Sequence, residues 1–68
     1  MNPQEREQKI IELLKNNAEL NLHEISRRTN INVTSVFFII SQLEREKKVQ
    51  CNYKIIDGRA HKLVKLID

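Results

Sequence analysis

Sixty-eight residues make one domain around a small core, with little room for a catalytic cleft and a substrate pocket. With 31% charged residues, 40% apolar residues, one Gly and one Pro, the chain reads as ordered and helix-rich rather than as linker. The net charge of +3 is unevenly spread: residues 1–26 carry three Lys/Arg against five acids, residues 27–68 nine against four, so the second half suits an anionic partner.

Cys51 has no second cysteine to pair with, which makes a reducing cytoplasm the simplest compartment. The opening "MNPQEREQK" lacks the apolar stretch of a secretory signal. No run approaches the roughly 20 apolar residues that span a bilayer, so no membrane partner is expected.

Asn2-Pro3 opens the first helix, over 3–16: Asn can cap, and Pro is pre-set for the first helical position. Glu5 and Glu7 suit the positive end of its dipole. Ile10, Ile11, Leu13 and Leu14 form the buried stripe, and the Asn pair in "NNAEL" stops the helix. A short strand is possible at 18–20. Asn21 and Glu24 have capping-box spacing at the start of a second helix, 22–29, whose Leu22 and Ile25 face the core. Asn30 sits at a turn where Asn tolerates a left-handed backbone. Asn32 then caps a third helix, 33–47. Its Val36, Ile40 and Leu43 fall on one buried stripe, with Ile39 on the border. After Lys48 the period shifts to β-prone, partly alternating runs, "VQCNYKII" and "HKLVKLI", and Asp57-Gly58 between them signals a two-residue hairpin.

Residues 21–49, "NLHEISRRTNINVTSVFFIISQLEREKKV", resemble the helix-turn-helix of winged-helix bacterial and archaeal regulators. Glu24-Ile25-Ser26 stands where that family usually has Glu-Leu-Ala. Ile31 anchors the turn and Asn32 caps the recognition helix. Leu43-Glu44, followed by Val49, matches the run into the wing. Among small regulators the chain looks most like the PapI/FaeA-type regulators of fimbrial operons, which share the "LE-x-E-x-x-VQ" exit of Leu43–Gln50. The resemblance implies one α+β winged helix-turn-helix domain over 1–68, with three helices, the helix-turn-helix at 21–47 and a β-hairpin wing at 49–67. The implied activity is sequence-specific binding of double-stranded DNA and transcriptional regulation, by a dimer or beside a partner protein.

The chain departs from the family pattern in three places. Asn30 and Lys47 stand where Gly is usual; Asn is a natural replacement, whereas Lys47 implies a longer helix or a different cap. Phe37 and Phe38 occupy positions that usually carry polar or basic residues. In the Z-form nucleic-acid binders of this fold, the recognition-helix Asn and Tyr would fall on Phe37 and Ser41, which argues against that branch.

Under this resemblance Asn32, Thr34, Ser35, Ser41 and Gln42 offer hydrogen bonds to base edges; the plainer reading is a cap and solvated positions. Arg27, Arg28, Arg45, Lys54, Arg59, His61 and Lys62 are phosphate contacts or an ordinary basic surface, with Arg59 at the wing tip in reach of a minor groove. Lys47 and Lys48 serve the helix C-terminus. Three readings stay open for the phenylalanines: Phe37 fills the core, Phe37 or Phe38 packs on thymine methyls in a groove, or the pair is a protein interface. The last is the rival function, a protein-interaction module. Phe38 lies about 200° round the helix from Val36, so it is expected to be the more exposed of the two. Catalysis, a cofactor, a metal site and a small-molecule site find no supporting constellation: His23 and His61 lack partners at ligand spacing, and Cys51 packs as a small apolar residue in the first wing strand.

Overall fold

Local hydrogen bonds fix where each element begins and ends in the computed structural model, which describes residues 2–67. Helix α1, Pro3–Lys15, starts where the Asn2 side chain accepts from the Glu5 N–H at 2.8 Å. It stops at the Asn pair because both side-chain amides turn back, Asn16 onto the Glu12 carbonyl at 3.1 Å and Asn17 onto that of Leu13 at 2.9 Å. Those bonds satisfy carbonyls that a helix end otherwise leaves without a partner.

Strand β1 is Leu20–Asn21, shifted from the expected 18–20. Helix α2, Leu22–Thr29, follows with no intervening residue, since Asn21 both ends the strand and caps the helix by accepting from the Glu24 N–H at 2.8 Å. The capping box is only half made. The Glu24 carboxylate turns toward Arg27 and Arg28 instead of back to Asn21. Asn30 ends α2 in the left-handed region at φ 59°, and the Ile31 N–H closes onto the Ser26 carbonyl at 3.2 Å. Thr29, buried among apolar residues, gives its hydroxyl to the Ile25 carbonyl at 2.6 Å.

Helix α3 is Val33–Arg45, capped by Asn32, which accepts from the N–H groups of Thr34 and Ser35. It is two residues shorter than the expected 33–47. Lys47 is left-handed, at φ 61°, and the N–H groups of Lys47 and Lys48 bond back to the carbonyls of Glu44 and Leu43 at 3.0 and 2.9 Å. This is a Schellman ending with Lys where glycine is usual, so the different cap, not the longer helix, is what replaces the glycine.

Strands β2, Val49–Ile56, and β3, Arg59–Leu66, form the hairpin, and β1 pairs on the far side of β3 to give the order β1-β3-β2. Asp57 and Gly58 both have positive φ, 52° and 76°, as a two-residue turn matched to strand twist requires. Core residues come from every element: Ile10 and Leu14, Leu20, Ile25, Ile31 after α2, the α3 stripe of Val36, Ile40 and Leu43, then Val49 and Val64. Ile11, Leu13, Leu22, Ile39, Cys51 and Leu66 pack around them. All are aliphatic apart from Cys51. The hairpin beyond Cys51 and Val64 therefore projects from the body with almost nothing buried.

Candidate nucleic-acid interface

A helix of this length can bury one stripe, and whatever lies opposite is left to solvent. With Val36, Ile40 and Leu43 fully buried, the outward ridge of α3 carries Thr34, Phe38, Gln42 and Arg45, all exposed. These four follow i, i+4, i+8, i+11 and make one row. Ser35 and Ser41 do not belong to it. Ser35 is half-buried on the α1 side, where its hydroxyl accepts from Arg6 at 3.5 Å, and Ser41 is half-buried on the opposite flank. The Asn32 side-chain oxygen is committed to its cap, which leaves only the amide NH2 free to donate outward.

Phe37 is 45% exposed and Phe38 65%, so neither ring fills the core, and the reading of Phe37 as a core residue is corrected. The geometry accounts for it: the core is already closed by aliphatic side chains, and positions about 100° and 200° round from Val36 point away from it. The two rings meet edge to face, with centroids 5.8 Å apart and planes at 69°. The Lys62 ammonium stands 5.1 Å from the centre of the Phe37 ring, a cation–π contact across to the wing.

That contact identifies which side of the hairpin looks toward α3. Directly paired residues of antiparallel strands share a face, so Tyr53 and Lys62 stand together on the α3 side, followed toward the tip by Ile55 and Ala60. Lys54 pairs with His61, and Ile56 with Arg59, on the other face. The basic wing residues, a single set in the sequence, are thus divided between two faces. Arg27 and Arg28 are on α2, both held by Glu24, and Arg28 also donates to Asn17 at 3.4 Å.

Two further residues join the site that sequence reasoning passed over. Tyr53 and Ile55 are 73% and 72% exposed and continue the apolar line from Phe38 and Phe37 out along the wing. The signal was available in the alternation Val49, Cys51, Tyr53, Ile55, which places all four on one strand face. Nearer the core, burial pushes the Cys51 thiol above its ordinary value; the Glu44 carboxylate adds to the rise and Lys62 opposes it. Cys51 is therefore packed and protonated. Among the described residues no group of three or more His, Cys, Asp or Glu is placed to hold a metal ion, and no helix is long and apolar enough to cross a membrane.

Solved structures share this fold. Stf76 from the Sulfolobus islandicus plasmid-virus pSSVx superposes with a TM-score of 0.85 at 18% identity, over 90% of this chain and 79% of that one. The Zα domain of Carassius auratus PKZ, in complex with Z-DNA, gives 0.81 at 19% identity, over 94% and 95%. A possible transcriptional regulator from Methanosarcina mazei Go1 gives 0.83 at 13% identity, over all of this chain and 57% of that one. Identities this low speak for the fold alone. No curated protein matches the chain by sequence. A family model does, over residues 4–50, from the start of α1 to the first residues of the wing, and by that match the chain belongs to the winged helix-turn-helix DNA-binding family.

Proposed function

We propose that the protein binds double-stranded DNA sequence-specifically and regulates transcription, with α3 in the major groove and the wing against the adjoining backbone. The observation that carries this reading is the exposed α3 ridge, Thr34, Phe38, Gln42 and Arg45, with Lys62 on the wing face toward it. In a helix-turn-helix the second helix of the motif presents its outward residues to base edges, Gln preferring adenine and Thr the thymine methyl or a polar edge. Arg45, Lys54, Arg59, His61 and Lys62 then serve phosphates, and Arg27 and Arg28 do so once released from Glu24. Membership of a DNA-binding family and the likeness to a possible transcriptional regulator support the proposal. Its setting is the cytoplasm, and it works as a homodimer or beside a partner protein.

The test is a titration of mixed-sequence duplex DNA at several salt concentrations. Affinity falls steeply with salt, because each neutralised phosphate releases counterions. A protein that binds no duplex even at low salt refutes the reading. The exposure of Phe37 and Phe38 favours one second reading, a protein-interaction module that holds its partner through these two rings. It takes over if the duplex titration is flat while the chain self-associates through α3.

A further inference from the structure

The outward ridge of α3 has an apolar middle. Phe38 stands one turn after Thr34 and two turns before Arg45, with Phe37 against its side at 5.8 Å and Lys62 over the Phe37 ring. The four ridge residues include no acid, and cations flank the rings from the helix (Arg45) and the wing (Lys62). Such a ridge fits a partner that is narrow, negative along its rims and apolar along its floor.

A second copy fits less well, because a copy of this ridge offers Arg45 and Lys62 no acid among its four residues. A single strand fits poorly as well. Successive stacked bases need parallel ring faces, whereas these rings lie at 69° and one already has a cation over it. A major groove about 12 Å wide, with phosphates on both rims and thymine methyls on its floor, matches charge and polarity together.

We propose that Phe38, backed by Phe37, reads thymine C5-methyl groups, so that the preferred ligand is duplex DNA with methyls clustered in the major groove at the centre of the site. The proposal rests on the duplex reading above. Over A·T pairs the ring covers methyl groups. Over G·C pairs it would strip water from guanine and cytosine edges and return no hydrogen bond, so the discrimination has both an attractive and a repulsive part.

The experiment compares four duplexes by fluorescence anisotropy at low salt: an A·T-rich duplex, the same sequence with deoxyuridine for every thymine, a G·C-rich duplex, and its 5-methylcytosine form. The uracil duplex is expected to bind about fourfold more weakly for each methyl the rings cover, the worth of one buried methylene, and about 15-fold for two. 5-Methylcytosine strengthens binding to the G·C duplex. Phe38→Ala binds the thymine and uracil duplexes alike with its salt dependence kept, and Phe38→Leu retains part of the preference. Equal wild-type affinity for the thymine and uracil duplexes overturns the methyl reading and leaves duplex binding standing. No binding to any duplex overturns both. A Phe38→Ala protein that still prefers thymine, but no longer self-associates in sedimentation, assigns the rings to a protein interface and also overturns the proposal.

Discussion

Two substitutions on one helix separate its folding face from its contact face. Ile40 is fully buried at the middle of the α3 stripe, and Phe38 is 65% exposed two positions before it. Ile40→Ala removes buried carbons from a close-packed site and should cost about 2–5 kcal/mol. A chain of this length has about 3–10 kcal/mol to lose, so the variant sits near or past the edge of folding. Complete burial of a Phe is worth about 1.5–3 kcal/mol, and only a third of the Phe38 side is covered, which leaves about 0.5–1 kcal/mol at stake. Ala regains roughly half of that through its higher helix propensity. Urea unfolding followed by far-ultraviolet circular dichroism reads the difference. With a slope of about 1 kcal/mol per molar urea, the Ile40→Ala midpoint drops by about 2 M or more and the Phe38→Ala midpoint by well under 1 M. Comparable losses would mean that Phe38 is covered in the free protein, and the ridge could not then be open to DNA.

Lys47→Gly should stabilise the protein by about 0.5–1 kcal/mol, because it relieves a left-handed lysine at φ 61°; a lower urea midpoint would show that the Schellman turn is not strained. Arg59→Ala should weaken binding to all duplexes alike and reduce the salt slope by about 1, whereas Gln42→Ala should mainly relax sequence preference, as competition with unrelated duplexes would reveal; the opposite pattern would exchange their roles. The thiol of Cys51 is raised in the folded state, so the unfolded chain ionises first as pH rises. Stability is then complete below the ordinary thiol value of 9.0 and declines as pH climbs through and above it; a Cys51→Ala protein, compared over the same alkaline range, should lack that part of the decline.

The helices were legible because their signals are local. Asn2, Asn21 and Asn32 each cap the helix that follows, and Val36, Ile40 and Leu43 repeat at helical spacing. Asp57-Gly58 placed the hairpin turn for the same reason, since positive φ at both residues is a demand on residue type. What escaped depended on tertiary placement. The end of α3 could not be read from Lys47, because lysine favours helix and only the two N–H groups folding back on Leu43 and Glu44 draw it left-handed. Glu24 has the spacing of a capping box, yet two arginines one turn along compete for its carboxylate. The wing cations looked like one set because residue type says nothing of pairing register. Once Tyr53 is opposite Lys62, alternation sends Lys54, Arg59 and His61 to the other side.

All three aromatic residues of the chain lie outside its core, with Phe37, Phe38 and Tyr53 from 45% to 73% exposed. Aromatic side chains are the largest apolar groups a small domain has for its own stability. Here folding is left to aliphatic residues of modest size, and every ring is placed on α3 or on the wing face toward it. The arrangement costs the free protein stability that its short chain could use. It also keeps that burial in reserve for the bound state, where each ring covered by a partner contributes what folding left unclaimed. A positively charged surface alone would bind any duplex with about the same strength, since phosphates are the same at every base pair. Preference for one sequence needs contacts that differ between base pairs, and apolar rings on the outward ridge of α3 differ in what they meet according to whether a methyl group lies beneath them. Under the proposed function, cations on the wing and rings on the helix divide the work, one holding the polymer and the other sensing where along it the protein has stopped.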